Sequence, residues 1–466
     1  MKIEQFYTKC LSEASYYIES NGEVAIIDPL RDVSQYIEQA KKNNAKIKYV
    51  LETHFHADFV SGHVELSKKT DSTIVFGPSA KPNYKAKVAE DGEILTLGDV
   101  SIKVLHTPGH TLESACYLLL DEAGREHAVF TGDTLFVGEV GRPDLVQKLR
   151  REITPQYLAG LLFDSLHNKL MTLPDDVIVY PGHGAGSACG KNIGKETAST
   201  IGNQRQFNYA LSPTLTKTEF IENLVVGLDS PPSYFPANVI LNITGELKSL
   251  DEVLQAGNIA LSVDQFEKIR KDQNAMILDT RETDEFAKGF IPGSISIGIG
   301  GSFAPWVGTL IPELKQPLLL VVENGREEEV ITRLARVGYD NPLGFLQGGI
   351  PSWTKAGKII DSLKEITAEE YFEVEYSPNT TLLDVRRESE FKIGHIENAE
   401  NVPLDYINEN IKSLDFNREY FVHCAGGYRS VVMCSILKSN GFNKIVNILG
   451  GYSSLSAVAS RQSKVS

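Results

Sequence analysis

The sequence predicts a multidomain α/β protein, and three observations carry that prediction. Residues 257–466 contain one α/β unit written twice. Within each copy short apolar runs alternate with helical segments, the order that gives a parallel sheet flanked by helices. Residues 1–256 read differently: short strands alternate with turns and a few helices, and histidine and aspartate collect at the strand ends.

The repeat is legible position by position. LDTRETDEFAKGFIPGS (Leu278 to Ser294) aligns with LDVRRESEFKIGHIENA (Leu383 to Ala399), so Asp279, Arg281, Glu285, Phe286 and Gly289 recur as Asp384, Arg386, Glu390, Phe391 and Gly394. Each copy closes on a glycine pair, Gly348-Gly349 and Gly450-Gly451. Apolar runs such as Leu318 to Val322 fit strands buried on both faces. The boundary before copy one falls near Gly257 and that before copy two between Gly357 and Lys364. These give expected domains of 1–256, 257–358 and 365–466. Neither linker is rich in Pro or Ser, which predicts docked domains.

Composition bounds the function. At 466 residues the chain has room for about three domains of roughly 150 residues each, and 42% hydrophobic residues suffice for several cores. A net charge of −15 argues against nucleic acid or an anionic membrane as partner. Five cysteines cannot all pair, which predicts a reducing, cytoplasmic setting. The opening MKIEQFYTKC has no apolar signal core, and no run approaches the ~18 apolar residues of a membrane span.

In the first domain a helix is expected from Asp32 to Asn44, and strands at YYIES, VAIID and YVLE. Six of the ten histidines lie between His54 and His127. Four fragments end apolar strands and enter turns: Thr53-His54-Phe55-His56-Ala57-Asp58-Phe59, Thr107-Pro108-Gly109-His110, Thr131-Gly132-Asp133 and Tyr180-Pro181-Gly182-His183. Such turns let several strand ends converge on one ion while rigid strands fix its geometry. Imidazole and carboxylate suit zinc or iron.

As a set the fragments resemble the metallo-β-lactamase superfamily, which implies an αββα sandwich with metal at one edge. Binuclear hydrolases of that superfamily, such as glyoxalase II, carry H-x-H-x-D-H, and here the last position is Phe59, which cannot ligate. His54, His110 and Asp133 remain as two histidines and a carboxylate, the facial set of non-haem Fe(II) oxygenases. The domain is similar to the persulfide dioxygenases, whose pattern GDTLFVGEVGRPD (Gly132 to Asp144) resembles. That resemblance implies one Fe(II) per chain on His54, His110 and Asp133, with Arg142 near an anionic substrate. His56, Asp58 and His183 become additional ligands or groups behind the ligands or facing substrate. A salt bridge to Asp144 is the equal alternative for Arg142.

The second signal is His423-Cys424-Ala425-Gly426-Gly427-Tyr428-Arg429-Ser430, after a strand and before a helix. Glycines let backbone N–H groups turn inward at a helix N-terminus, a cradle that favours thiolate and holds an added negative sulfur. The loop resembles the rhodanese active site, as the D-x-R-x-x-x-E-F-x-x-G-H run from Asp384 resembles the rhodanese signature. Cys424 is then the nucleophile, Arg429 its charged partner, and Ala425, Gly426, Gly427 and Tyr428 the cradle. Four residues between Cys424 and Arg429, one fewer than Cys-based phosphatases use, suit sulfane sulfur or thiosulfate.

Copy one lacks that chemistry. Counting back from Arg326 puts Val321 at the cysteine position, Phe290 replaces His395, and residues 257–357 hold no cysteine. It reads as a degenerate rhodanese domain serving as spacer, docking surface or substrate wall. Its segment GIGGSFAPWVGTL (Gly298 to Leu310) reads first as core and second as part of such a wall. Cys434 reads as core, Cys10 and Cys116 as inert, and Cys189, six residues after His183, as a persulfide carrier near the metal.

The expectation is an iron-dependent persulfide dioxygenase fused to a degenerate and an active rhodanese domain. Its partners would be a small-molecule persulfide, O2, sulfite and thiosulfate, and the resemblance implies a homo-oligomer. The competing readings are a zinc hydrolase of the glyoxalase II kind with an accessory rhodanese, and a non-catalytic persulfide carrier or sensor.

Overall fold

The structure, a computed structural model, describes residues 1–145, 152–228, 230–374 and 379–462. The chain divides into two units, one of residues 1–250 with 335–338 and one of residues 251–334 with 339–466. Among the described residues no helix is long and apolar enough to cross a membrane.

In the first unit two six-stranded sheets pack face to face. One runs in chain order, Lys2–Thr8, Glu13–Ser20, Glu23–Ile27, Lys46–Glu52, Thr73–Phe76 and Lys87–Val88. The other is ordered Ser199–Thr200, Ile178–Pro181, Glu126–Gly132, Ala115–Leu120, Val100–His106 and Ile94–Leu97. Alternating side chains serve two layers because a strand exposes opposite faces at successive residues. Tyr16, Ile18, Ile27, Leu51 and Val75 meet Ile102, Val104, Tyr117, Leu119 and Phe130 between the sheets. The intervening Tyr17, Val24, Ile26 and Val50 face outward onto Tyr36, Ala40 and Leu66 of helices Ser34–Lys42 and His63–Thr70. On the far side Leu118, Val129 and Val179 pack on Leu162, Leu166 and Phe220. Each such fully buried side chain contributes about 1.5–3 kcal/mol. The result is the expected αββα sandwich, and helix Ser34–Lys42 lies inside the span expected for it.

The second unit holds two five-stranded parallel sheets of one topology. The first is ordered Ala260–Leu261, Pro342–Leu346, Leu318–Val321, Met276–Asp279 and Ile295–Ser296. The second is ordered Lys364–Ile366, Ile445–Ile448, Glu419–His423, Thr380–Asp384 and Glu400–Asn401. Leu318–Val321 is buried throughout, as its apolar run predicts. The repeated Asp-x-Arg forms the same clasp twice. Arg281 donates to Asp279 and to the Gly289 carbonyl, and Arg386 donates to Asp384 and to the Gly394 carbonyl.

The sheet register corrects one expectation. Asp279 pairs with Val321 and Asp384 with His423, so Val321 is the counterpart of His423. Val322 therefore occupies the place of Cys424. Counting back from Arg326 took it as the counterpart of Arg429. By register it stands at the position of Tyr428, one residue before its helix Glu327–Arg336, whereas Arg429 lies inside Tyr428–Ser439.

Candidate functional site

In the first unit the turn carrying His54 leaves the strand Lys46–Glu52 of one sheet, and those carrying His110, Asp133 and His183 leave Val100–His106, Glu126–Gly132 and Ile178–Pro181 of the other. Asp28, at the end of the strand Glu23–Ile27, accepts hydrogen bonds from the Thr53 backbone N–H (2.7 Å) and Oγ1 (2.8 Å), fixing the turn that starts at His54. Glycines allow the close approach. A Cβ at Gly182 would stand 2.8 Å from Asp133 Oδ1, so the His183 turn can only lie against Asp133 without a side chain there.

Three groups of potential metal-binding side chains occur among the described residues, each with ligand atoms within 4.8 Å of one another: His54, His110 and Asp133; Asp58, His183 and Cys189; and Asp28, Glu52 and His56. In the first group Asp133 Oδ2 lies 3.5 Å from His110 Nε2 and 3.9 Å from His54 Nε2. His110 is aimed by its other nitrogen, which lies 2.8 Å from the Arg142 carbonyl oxygen. Burial holds both imidazoles below their ordinary pKa, so they are neutral and have lone pairs to offer. His110 Nε2 and Asp133 Oδ2 are buried without a hydrogen-bond partner. Orphaned polar atoms facing one another across 3.5 Å fit a divalent cation between them.

The other predicted residues fall around this group. His183 stands between two carboxylates, with Nδ1 2.7 Å from Asp133 and Nε2 2.7 Å from Asp58. Burial opposes its charge, but those carboxylates hold its pKa well above the ordinary value. Cys189 joins Asp58 and His183, and burial together with the Asp58 and Asp133 charges pushes its thiol up. His56 points elsewhere: its Nε2 is 3.1 Å from Asp28 and 3.7 Å from Glu52, and its ring stacks on Phe59 at 4.3 Å. Arg142 is buried, with a two-pronged ion pair to Asp144 at 2.7 and 2.8 Å. Asp28 and Glu52 were not anticipated from the sequence. Asp28 ends an apolar strand before Pro29, the same signal that marked the other turns.

In the second unit the strand Glu419–His423 delivers Cys424 and the helix Tyr428–Ser439 begins four residues later. Gly427, at φ +124°, lets the chain turn so that its N–H donates to Cys424 Sγ at 3.1 Å. Ser430 Oγ lies 3.8 Å from the same sulfur. Arg429 forms a two-pronged pair with Glu390 at 2.6 and 2.8 Å, and its guanidinium holds the Glu390 carboxyl below the usual range. A cavity of about 500 Å³ opens over Cys424, lined by Ala425, Gly426, Tyr428 and Arg429, with Arg387 and Glu390. Ser302 and Trp306 of copy one complete its lining. The segment expected first as core is therefore both, since Phe303, Ala304 and Val307 are buried while Ser302 and Trp306 face the cavity. Burial pushes the Cys116 thiol up to about 11 and raises that of Cys434 as well.

Residues 8–183 match the metallo-beta-lactamase superfamily, and residues 262–356 and 368–457 match the rhodanese-like domain. A metallo-beta-lactamase from Staphylococcus aureus subsp. aureus COL is 31% identical, with a TM-score of 0.66 over 74% of this chain and 98% of that one. The cytoplasmic hydroxyacylglutathione hydrolase of Arabidopsis thaliana is 36% identical over 39% of this chain and 67% of its own length. A probable hydroxyacylglutathione hydrolase of Schizosaccharomyces pombe is 35% identical over 35% of this chain and 60% of its own. The chain thus spans about two thirds or less of these curated relatives.

Proposed function

Since the chain belongs to the metallo-beta-lactamase superfamily and carries rhodanese-like domains, we propose that it oxidises a low-molecular-weight persulfide and transfers sulfane sulfur through Cys424. The overall oxidation is RSSH + O2 + H2O giving RSH, sulfite and two protons. The observation that supports it is the sorting of the imidazoles: His54 and His110 share Asp133, while His56 is turned to Asp28 and stacked on Phe59. That leaves two histidines and one carboxylate as the residues that would hold the ion, the donor set used by non-haem Fe(II) oxygenases.

An Fe(II) ion held there would bring O2 and the persulfide sulfur together and exchange electrons with both. The chain's own part is orientation and proton handling. The Arg142 carbonyl and Thr53 hydroxyl aim the two imidazoles. His183, bridging Asp58 and Asp133 at 2.7 Å each, holds both carboxylates in place.

Cys424 completes the sequence. Its thiolate attacks the outer sulfur of RSSH, the S–S bond breaks, and RSH leaves with the proton. Sulfite then takes the sulfur from the Cys424 persulfide, releasing thiosulfate and the thiolate. The Gly427 N–H already points at this sulfur. Sulfite formed by the same protein reaches Cys424 at high effective concentration. A cytoplasmic homo-oligomer acting on soluble persulfide, O2 and sulfite is part of this proposal.

The hydrolase names of the Arabidopsis and S. pombe relatives favour a second reading, zinc-dependent thioester hydrolysis. Oxygen uptake by iron-loaded protein given glutathione or coenzyme A persulfide separates the two. Uptake with sulfite as product is expected. No uptake, with two zinc ions per chain in protein as isolated, would establish the hydrolase instead.

A further inference from the structure

The cysteine-free copy forms one wall of the cavity over Cys424, and that wall is anchored to the catalytic loop itself. The Tyr428 hydroxyl donates to the Gly298 carbonyl at 3.0 Å. Its ring lies where Gly298 and Gly301 have no side chains: a Cβ at either would stand 3.4 Å from the Tyr428 ring. Farther along the same helix, Ser435 Oγ accepts from the Ser296 N–H at 2.9 Å. Trp306 and Ser302 are therefore fixed relative to Cys424 by the residues that shape its loop.

The cavity's size and charge argue about its ligand. About 500 Å³ lies within the roughly 300–1,000 Å³ of sites for organic molecules and far exceeds a water's share of about 30 Å³. An inorganic dianion would fill little of it. Both arginines on its lining already have carboxylate partners, Arg429 in Glu390 and Arg387 in Asp405 at 3.2 Å. The half-buried indole of Trp306 instead offers a broad apolar face at low entropic cost.

We propose that this cavity is a two-part site for an organic persulfide, in which the Cys424 loop takes the terminal sulfur while Trp306 and Ser302 hold the organic body. The cysteine-free copy is thereby the specificity-determining half of the sulfur-transfer site, selecting organic persulfides over thiosulfate. The inference rests on the reading of Cys424 as sulfur acceptor, and the transfer step is the one balanced above.

The test uses the full chain and two donors, glutathione persulfide and thiosulfate, with persulfide at Cys424 followed by mass spectrometry in a single turnover. Trp306→Ala is expected to slow loading from glutathione persulfide about tenfold, the scale of one lost aromatic contact, chiefly by weakening donor binding. Loading from thiosulfate should stay within about twofold on the same scale. Trp306→Phe should restore most of the loss. Ser302→Trp, at an exposed position, should narrow the cavity and slow the organic donor selectively. Equal slowing of both donors in these variants would mean a purely structural wall and would overturn the proposal, as would no slowing of either. Wild-type protein that takes sulfur from neither donor would overturn the acceptor reading along with it.

Discussion

Gly141 lies so close to Asp133 that a Cβ there would stand 2.0 Å from the Asp133 carbonyl oxygen, and 2.9 Å from His110 Nδ1. Gly141→Ala must therefore displace both ligand residues by pressing on the Asp133 backbone and the His110 ring. Metal affinity should fall about 10–100-fold, the scale of losing a group that orients a ligand. Gly160→Ala is the control, because its nearest neighbour is the flexible Lys217 side chain at 3.4 Å. Titration with a chelator, read by metal analysis, checks both. Unchanged affinity in Gly141→Ala would show that the Asp133 and Arg142 segments tolerate separation.

The two chemistries should part under mutation. His110→Ala or Asp133→Ala is expected to abolish metal binding and oxygen uptake while Cys424 still accepts sulfur. Cys424→Ser should keep oxygen uptake and leave sulfite as the final product, with thiosulfate lost. Thiosulfate formation persisting without Cys424 would refute the coupling, and an oxygen electrode with anion chromatography reads all three variants.

Glu390 masks a charge. Its carboxyl, lowered by Arg429, keeps the pair formed at neutral pH; the pair is lost as pH falls through that depressed value, below the ordinary carboxylate pKa of about 4.3. Glu390→Gln should release the guanidinium toward the cavity at neutral pH. The expected result is a lower KM for thiosulfate, by roughly three- to tenfold for a gained charge-assisted contact. An unchanged KM would mean that Arg429 does not turn inward when freed.

His63 should give the first unit an acid weakness. Burial lowers its pKa to about 3, whereas an unfolded histidine titrates near 6.5. Between those values the unfolded chain binds the extra proton, so this group's contribution to stability rises with pH, by up to ~1.4 kcal/mol per pH unit. Glu13 and Glu52, raised by burial, act in the opposite sense. The measurement is therefore a difference: hydrogen exchange of peptides from residues 1–250, wild type against His63→Gln, at pH 4.5 and 7. Equal pH dependence in the two proteins would exclude His63 as the source.

Much of this was legible in the sequence because the relevant signals are local. Strand ends that run into His or Asp, and a cysteine ahead of paired glycines, depend on few neighbours, and the two-copy repeat is visible by alignment. What escaped was set by three-dimensional packing. Whether His56 joins His54 or turns to Asp28 depends on the ring of Phe59 beneath it and on a carboxylate from another strand. The equivalence of Val322 and Cys424 follows from sheet register, which counting back from Arg326 cannot recover because Arg326 stands at the position of Tyr428. Trp306 shares its segment with buried Phe303 and Val307, so its exposure to the Cys424 cavity is invisible in the residue pattern.

The clasp of Asp279 and Arg281 is made by the same groups as that of Asp384 and Arg386, each to the equivalent glycine carbonyl of its own copy, Gly289 or Gly394. One copy kept the clasp after losing, or without ever having, a cysteine to serve. Duplication has thus run a control experiment inside a single gene product: what persists without chemistry is what the backbone requires. A census of reactive centres taken from the clasp residues would count two in this chain, although only one of the two loops carries a thiol.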